Sequence, residues 1–253
     1  MTATPAEQTC QQHIATALKS LGIQHGDVLL VHSSFKTLGP VPGGIETVIR
    51  ALEQSIGPTG TLLFPALSYM QQPHHIHDTR HTPCCVGAMP EYFRQRKGTQ
   101  RSLHPTHSLC GMGHHIDVLF ADHPLDDTPC GPHSPFRNMI DLGAKIAMLG
   151  CGLRPNTTMH AIEEFVEPPY LFDGHCLYHI TDSAGQVIQK TYRTHSFDGW
   201  AQRYERVANL PDTHFLRRGH VLQAETFILN TPALKEAVID QLNKDPLFFV
   251  EAV

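Results

Sequence analysis

The chain has 253 residues, which is long enough to bury an ample hydrophobic core. Its formal net charge of -5 argues against nucleic acid or an anionic membrane as a partner, and its hydrophobic content of 41% is typical of a soluble globular protein. The first residues lack a signal-peptide pattern, and no apolar run is long enough to span a bilayer. Seven cysteines without the spacing of a disulfide framework favour reduced thiols, so we expect a cytoplasmic protein.

The first part of the chain alternates helical patterns with short apolar runs. Thr4 and Glu7 flank Pro5 in a capping-box pattern, and the helix that starts there is predicted to end at Gly22. The pattern that follows predicts a strand, a helix and a second strand at 28–32, 45–56 and 61–65. Residues 66–88 lack any periodicity and predict a long loop, which in a compact domain is often functional.

The second part continues this alternation and then changes to a hairpin pattern. Helices are predicted at 89–96, 116–123, 134–143 and 231–246, and strands at 108–113 and 145–150. Residues 176–193 predict an antiparallel hairpin. Buried strands that alternate with helices favour an α/β fold with a mainly parallel central sheet, to which this hairpin is added. No linker divides the sequence, so we interpret residues 1–253 as a single domain.

A polar segment follows the first predicted strand. His32, Ser33 and Ser34 lie at its carboxyl end, where α/β proteins usually bind their ligands. Gly43 and Gly44 then open the next helix, whose free backbone N–H groups are suited to a phosphate group. The segment matches neither the Walker pattern nor the dinucleotide fingerprint, so a plain strand-to-helix turn is the alternative interpretation.

A second polar segment precedes the strand predicted at 108–113. Arg101, Ser102, His104 and Ser108 place several hydrogen-bonding side chains within eight positions, and a proline stiffens the loop between them. Such a segment is suited to bind a polar ligand. The alternative is a polar loop whose histidines are satisfied internally.

The segment NTTMHAIEEF, residues 156–165, begins soon after the strand predicted at 145–150. If it is helical, His160 and Glu163 share one face of the helix. A carboxylate in that position holds an imidazole in one tautomer, as in a general base with its orienting acid. Half of a di-metal site is an alternative, but the sequence has no second pair of this kind. A chance ion pair on an ordinary helix face is the other.

The predicted loop contains the histidine-rich segment HHIHDTRH, residues 74–81, followed by Cys84 and Cys85. These side chains suit zinc chemically and allow a metal-dependent hydrolase as a rival function. Adjacent cysteines are poor joint ligands, however, and the pairwise spacing of known zinc motifs is not completed here. A polar loop on the substrate side is therefore the favoured interpretation.

Four segments occur together in the order and spacing of one known family. They are VHSSFKTLGPVPGG at 31–44, VGAMPEYFRQRKGTQRSLHPTHSLCGMG at 86–113, SPFRNMIDLGAKIAMLG at 134–150 and NTTMHAIEEF at 156–165. In these segments the chain resembles the aminoglycoside 3-N-acetyltransferase family, and the resemblance runs from the first helix to the end of the chain. The most specific match is the arginine, serine, histidine and serine series of the second segment, followed by Thr157, His160 and Glu163.

The resemblance implies a three-layer α/β/α fold that is distinct from the common acetyltransferase superfamily. It implies acetyl-coenzyme A as the acetyl donor, an amine of an aminoglycoside antibiotic as the acceptor, and direct attack within a ternary complex. It implies no metal. His160 resembles the general base of the family and Glu163 the acid that orients it, while His104 and Ser108 resemble polar groups at the thioester.

The resemblance also implies which other residues bind the donor and which bind the acceptor. The cradle for coenzyme A is predicted to contain His32, Ser33, Ser34, Gly43, Gly44, Arg101 and Ser102. The acceptor is predicted to contact Asp78, Thr157 and Glu164. Because the loop at 66–88 has a single acidic residue, an amine or amino sugar that is not an aminoglycoside is the alternative acceptor. A homodimer is compatible with the sequence.

Overall fold

The computed structural model describes residues 3–70 and 74–253. Its helices are α1 Pro5–Ser20, α2 Gly44–Ile56, α3 Ala88–Arg94, α4 Ile116–Ala121, α5 Pro135–Asp141, α6 Thr158–Glu163 and α7 Thr231–Lys244. Its strands are β1 Val28–Ser33, β2 Thr61–Pro65, β3 Ile76–Asp78, β4 Gln100–Arg101, β5 Leu109–Gly113, β6 Lys145–Leu149, β7 Phe172–Thr181, β8 Val187–His195, β9 Trp200–Gln202, β10 Leu216–Val221, β11 Ala224–Asn230 and β12 Val250–Ala252.

The start of α1 shows how local sequence fixes an element. The hydroxyl of Thr4 accepts a hydrogen bond from the backbone N–H of Glu7, and the Glu7 carboxylate accepts one from the backbone N–H of Thr4. Two of the orphan donors at the start of the helix are satisfied in this way, and Pro5 has no donor to lose. The predicted capping box is therefore confirmed, and Gly22 follows the helix in a left-handed conformation with φ of 98°.

The central sheet has seven strands in the order β10-β11-β6-β1-β2-β5-β4. The three central strands β6, β1 and β2 are parallel, as the alternation of strands and helices predicts. The strands outside them, β11 and β10 on one side and β5 and β4 on the other, run antiparallel to their neighbours. The sheet is therefore mixed, and the predicted parallel arrangement describes its centre and not its edges.

Hydrophobic cores cover both faces of this sheet, because successive strand residues point to opposite sides. Leu30 and Met148 pack on one face against α4, α5, α6 and α7. Leu29 and Leu149 pack on the other face against α1, α2 and α3. Both cores are formed by residues from distant parts of the chain. Within the ranges that the structure describes, no helix is both long and apolar enough to cross a membrane.

The predicted hairpin is confirmed as β7 and β8, which pair antiparallel in a separate three-stranded sheet. Its third strand, β3, lies inside the segment that was predicted as loop only. The last residue of β8 is His195, which is paired with Phe172 at the start of β7. The hairpin thereby brings His195, at the end of β8, back toward α6.

Candidate active site

A cavity of about 710 Å³ lies beyond the carboxyl end of β6. Its wall is formed by the segment from Cys151 to Thr157, by α6, by the end of β8 and by the 3₁₀ helix Tyr204–Asn209. The polar and charged lining residues are His107, Arg154, Asn156, Thr157, His160, His195, Gln202 and Tyr204. The apolar and aromatic part of the wall includes Leu67, Tyr69, Val86 and Phe197. This is the edge of the sheet at which α/β proteins place their ligands.

The helix α6 brings His160 and Glu163 together at this cavity. His160 Nδ1 and Glu163 Oε2 are 3.5 Å apart, which is long for a direct hydrogen bond. The carboxylate is fully buried, whereas the imidazole keeps 12% of its side-chain surface exposed toward the cavity. The segment therefore forms the helical pair that its spacing predicts, with the carboxylate behind the ring.

Two tyrosines complete this pair. The Tyr204 hydroxyl donates to Glu163 Oε2 at 2.7 Å and lies 3.0 Å from His160 Nδ1, while the Tyr170 hydroxyl donates to Glu163 Oε1 at 2.6 Å. Burial and the neighbouring carboxylate raise the pKa of Tyr204 and of Tyr170 well above the usual value. Both phenols therefore stay protonated, and the buried carboxylate of Glu163 has a hydrogen-bond donor on each oxygen.

The single hydroxyl proton of Tyr204 determines the tautomer of His160. Because that proton is donated to Glu163, the phenol oxygen is left to accept a hydrogen bond from His160 Nδ1–H. The other ring nitrogen, Nε2, then carries a free lone pair. An imidazole held in this tautomer is suited to accept a proton from a substrate in the cavity.

Two further imidazoles border His160. The ring centroids of His195 and His160 are 5.1 Å apart, and those of His107 and His160 are 5.7 Å apart. Burial is the main reason why the pKa of His195 and that of His107 are well below the usual value, and nearby histidines add to it. These two rings are therefore neutral at physiological pH. The cavity thus has two neutral imidazoles beside His160.

A profile of the family described as aminoglycoside 3-N-acetyltransferase matches residues 30–243 of the chain. This chain belongs to that family. Aminoglycoside N(3)-acetyltransferase VII of Streptomyces paromomycinus is 33% identical to it over 175 residues, which cover 62% of this chain and 60% of that protein. The matched segment thus spans less than two thirds of the length of this relative.

Solved structures of related enzymes share the fold over almost the entire chain. A mutant of aminoglycoside acetyltransferase AAC(3)-IVa in complex with gentamicin superposes with a TM-score of 0.83 at 27% identity, covering 94% of this chain and 90% of that one. AAC-IIIb in a binary complex with CoASH superposes with a TM-score of 0.81 at 24% identity, covering 92% and 96%. The mixed α/β fold is therefore that of the family.

Arg101, Ser102 and Ser108 lie outside the cavity in this member of the family. Arg101 donates to the carbonyls of Ala66 and Thr82, each at 2.6 Å, and to the Ser108 hydroxyl at 2.8 Å. The Ser108 hydroxyl donates in turn to the Ala66 carbonyl. Ser102 accepts from the backbone N–H of Leu109. These bonds tie β4 and β5 to the loop after β2, so the structure does not bring the three side chains to the cavity.

His104, which was predicted to lie at the thioester, is completely buried behind His107. Its Nδ1 accepts the backbone N–H groups of Thr106 and His107, so it shapes the loop that presents His107 to the cavity. Burial is the main cause of its pKa lying well below the usual value. In the spacing of this segment, the histidine that reaches the cavity is His107 and not His104.

The predicted cradle lies next to the cavity at the ends of β1 and β6. Ser33 is paired with Leu149, and the backbone N–H of Ser34 donates to the Leu149 carbonyl, two positions before Cys151 on the cavity wall. The Ser33 hydroxyl is buried and has no partner among the described residues. His32 is buried, and burial lowers its pKa to about 3, so it offers no positive charge.

Gly43 and Gly44 open α2 with φ of 75° and 64°, and no side chain caps the helix. A Cβ added at Gly43 would overlap the side chains of Thr47 and Glu7, which explains the need for glycine there. At Gly44 a Cβ would meet nothing within 4 Å. The space beside Gly44 is therefore open, although its own N–H donates to the carbonyl of Val41.

Of the residues predicted to contact the acceptor, only Thr157 lines the cavity. Asp78 accepts the backbone N–H groups of Arg80 and His81 and stabilises its own turn. Glu164 is buried beyond the cavity wall, where it accepts from the Thr128 hydroxyl at 2.6 Å and from the backbone N–H of Cys130 at 2.8 Å. Burial raises the pKa of Glu164 to about 7 despite these bonds.

The histidine-rich segment does not assemble a metal site in the part of the chain that the structure describes. His77 is buried beside the Ser68 hydroxyl, and burial lowers its pKa to about 3. His74 and His75 are exposed. Their side chains contact each other with ring centroids 4.3 Å apart. The segment thus contains β3 and the turn that follows it.

Proposed function

We propose that this chain transfers the acetyl group of acetyl-coenzyme A to an amine of an aminoglycoside. The observation that carries this proposal is the Nδ1 contact of His160 with Tyr204 and Glu163, which leaves Nε2 facing the cavity. Membership of the family supports both the donor and the class of acceptor. The expected biological consequence is antibiotic resistance.

The proposed reaction is a direct attack within a ternary complex. As the amine nitrogen attacks the thioester carbonyl, His160 Nε2 takes a proton from that nitrogen. His160 then gives this proton to the departing sulfur of coenzyme A. Glu163, through Tyr204, stabilises the imidazolium that forms in between. Holding the two substrates together removes much of the entropic barrier. The reaction needs no metal and no covalent enzyme intermediate.

We infer that Asn156, and not Ser108, donates to the thioester oxygen. Asn156 lines the cavity and is 2% exposed. Its Oδ1 accepts the backbone N–H of Thr158, so its amide nitrogen faces elsewhere and has no partner among the described residues. A buried donor without a partner on a cavity wall is suited to stabilise an oxyanion.

The donor site proposed here extends from the cavity past Cys151 to the end of β1 and the start of α2. Two observations support this path: the Ser33 hydroxyl has no partner among the described residues, and a Cβ at Gly44 would meet nothing within 4 Å. Backbone N–H groups of α2 would bind phosphate, and Ser34 would lie beside it. Arg101 and Ser102 are left out of the proposed site because their polar atoms are engaged elsewhere.

A less cationic amine is the second candidate acceptor. Among the described residues that line the cavity, Arg154 is the one formally charged side chain, and Tyr69 and Phe197 add aromatic surface. A polycationic aminoglycoside would gain more from carboxylates than from this wall. An amino sugar or simple amine with an apolar or anionic part would fit these groups better.

The test is release of free thiol from acetyl-coenzyme A with a panel of aminoglycosides, amino sugars and simple amines. We expect turnover with at least one aminoglycoside, and loss of turnover but not of coenzyme A binding in His160→Ala. Turnover of simple amines alone would replace the first candidate by the second. Normal turnover in His160→Ala would remove the proposed base from the mechanism.

We infer in addition that the fold has three layers, α/β/α, distinct from the common acetyltransferase superfamily, and that residues 1–253 form one domain. The two cores on opposite faces of the sheet support both inferences. Cytoplasmic localisation is supported by the seven cysteines, all of which are free thiols. A homodimer remains a proposal that sedimentation of the purified protein would test.

A further inference from the structure

We propose that Phe197 is a positioning residue for His160. Its ring fixes the plane of the imidazole and keeps water away from the hydrogen bonds that hold it. Phe197 is half-buried on the wall of the cavity, in the turn that joins β8 to β9. The inference rests on the proposed role of His160 as the base in acetyl transfer.

The backbone of Phe197 is left-handed, with φ of 52°, which is rare for a bulky side chain and costs free energy. Hydrogen bonds on both sides hold it there. The backbone N–H of Ser196 donates to the Leu171 carbonyl at 3.2 Å, and that of Trp200 donates to the Phe197 carbonyl at 2.9 Å. Gly199, with φ of 74°, completes the turn. Backbone strain that the surrounding structure maintains is concentrated at functional sites, and this strained residue borders the proposed base.

The ring of Phe197 contacts both ends of the hydrogen-bonded chain that fixes His160. Its centroid lies 5.3 Å from that of the His160 imidazole and 5.7 Å from that of the Tyr170 ring. Tyr170 donates to Glu163, and Tyr204 links Glu163 to His160. Among the described residues, Phe197 lines the cavity, whereas Tyr170 and Glu163 do not. Its ring therefore borders both the cavity and the interior that holds the carboxylate.

The plane of the His160 ring needs a contact besides its hydrogen bond. The contact of Nδ1 with Tyr204 at 3.0 Å fixes one atom of the imidazole, and the terminal torsion of a histidine has a broad energy profile. The Phe197 ring packs on the imidazole at an interplanar angle of 57° and thereby restricts this rotation. His107 and His195 also border the imidazole. Phe197 differs from both because its side chain has no polar atom to which water could bind.

The hydrogen bonds of Glu163 depend on the exclusion of water. Glu163 is fully buried, and its donors Tyr170 and Tyr204 are 5% and 1% exposed. A hydrogen bond inside a protein is electrostatically stronger than one in water. Loss of the Phe197 ring at the boundary of the cavity would let water compete for the Tyr204 hydroxyl, which is the acceptor of His160 Nδ1–H. A small residue at position 197 should therefore impair the base and not the binding of coenzyme A.

The test is the steady-state kinetics of Phe197→Ala with one aminoglycoside. Alanine removes the ring but leaves a non-glycine residue at the left-handed position. We expect kcat to fall about 10- to 100-fold, because a displacement of about 1 Å at a catalytic group costs up to about 10²-fold. The KM of the acceptor and the affinity for coenzyme A should stay within about threefold of the wild type. Phe197→Tyr keeps the ring and should retain kcat within about threefold.

Trp200→Ala is the matched control. Trp200 belongs to the same small hydrophobic cluster and packs on Tyr170 with centroids 6.3 Å apart, but it does not line the cavity. This variant should lower the melting temperature and keep kcat within about threefold. An equal loss of kcat in Trp200→Ala and Phe197→Ala would show that the cluster acts through stability, and would overturn the inference.

A double variant separates positioning from a general loss of structure. If Phe197 acts through the contact of Tyr204 with His160, the double variant Phe197→Ala with Tyr204→Phe should be less than about threefold slower than the slower single variant. Independent effects would multiply instead. A multiplied loss, or a raised KM of the acceptor with kcat unchanged, would overturn the inference while acetyl transfer itself stands.

Phe197→Gly decides the matter if Phe197→Ala does not fold by circular dichroism. Glycine adopts a φ of 52° without strain, so this variant should melt about 2–4 °C above Phe197→Ala where both fold. It should show the same loss of kcat, because the ring is absent in both. Wild-type kcat in Phe197→Gly would mean that the ring does not position His160. A wild type that acetylates no amine would refute the proposed function itself.

Discussion

The hydroxyl of Tyr204 lies 3.0 Å from His160 Nδ1 and donates to the Glu163 carboxylate at 2.7 Å. This hydroxyl is a closer neighbour of the imidazole than the carboxylate is, since His160 and Glu163 are 3.5 Å apart. The orienting group of the proposed base is therefore a phenol that is itself oriented by a carboxylate. Tyr204 and Glu163, which form the second of these contacts, are 41 positions apart in the chain.

Tyr204→Phe should lower kcat with little change in coenzyme A binding. The variant removes the acceptor of His160 Nδ1–H and one donor to Glu163. A hydrogen bond to a charged group contributes about 1.5–3 kcal/mol, so we expect turnover to fall roughly 10- to 100-fold. Turnover and donor affinity should be measured on the same preparation.

Tyr170→Phe is the control for that variant. It removes a donor to Glu163 Oε1 but has no bond to His160. Both substitutions should destabilise the protein by about 1.5–3 kcal/mol, since each leaves a buried carboxylate oxygen short of a donor. Only Tyr204→Phe should lower kcat strongly. Equal losses of turnover in the two variants would show that the effect comes through Glu163 and not through the contact with the ring.

Ser108→Ala should lower stability and not turnover, whereas Asn156→Ala should lower turnover. Ser108 bonds Ala66 and Arg101 in the interior, so its loss should lower the melting temperature and leave turnover within about threefold. The amide nitrogen of Asn156 has no partner among the described residues, and removing one oxyanion donor typically costs about 10²- to 10³-fold in kcat. Thermal unfolding and steady-state kinetics check the pair. Loss of kcat in Ser108→Ala alone would restore the serine to the thioester.

The elements that local sequence determines were predictable. The capping box of Thr4 and Glu7 and the hairpin of β7 and β8 depend on residues close together in the chain, and both are confirmed. The helical pair of His160 and Glu163 is also local. Strand direction is not, because the antiparallel placement of β5 beside β2 follows from a connection through β4 that has no periodic signal.

The partners in the site were less predictable. Tyr204 lies in a 3₁₀ helix without an apolar pattern, and nothing in its spacing relates it to His160. His104 and His107 carry the same functional group three positions apart, and only tertiary burial decides which one faces the cavity. His195 follows the predicted hairpin by two residues. Contacts between residues far apart in the chain leave no pattern in the spacing of a single sequence.

Treatment with a chelator should leave turnover unchanged. Among the described residues, no three histidine, cysteine or acidic side chains are arranged to hold a metal ion. In the histidine-rich segment, Asp78 accepts backbone N–H groups and His77 lies beside the Ser68 hydroxyl. Both side chains are thus engaged in contacts within the protein. Activity should be assayed after dialysis against chelator, alongside metal analysis. Loss of activity that zinc restores would favour the hydrolase reading.

Acid should destabilise the fold well before its carboxylates are all protonated. Burial lowers the pKa of His32, His77 and His123 to about 3, against about 6.5 in an unfolded chain. The unfolded state therefore binds more protons between these values. Stability that is complete above pH ~6.5 is lost as pH falls toward 3, by about 1.4 kcal/mol per unit for each net proton.

Two carboxyl groups act in the opposite sense. Burial raises the pKa of Asp126 to about 6 and that of Glu164 to about 7, so each adds stability as pH falls toward its unfolded value. The three buried histidines above, joined by His104, His107 and His195, outnumber them. We therefore expect the free energy of unfolding to decrease from pH ~6 to ~4.5, where the unfolded histidines are largely protonated.

His123→Leu tests this balance at one position. Both ring nitrogens of His123 are buried without partners among the described residues, and the ring stacks on His104 with centroids 5.3 Å apart. The variant should reduce the pH slope of stability by about one proton, or ~1.4 kcal/mol per unit between pH ~6 and ~4.5. Urea unfolding at a series of pH values measures the slope. An unchanged slope would mean that His123 is protonated in the folded protein, and that a water or acid within the core satisfies its ring.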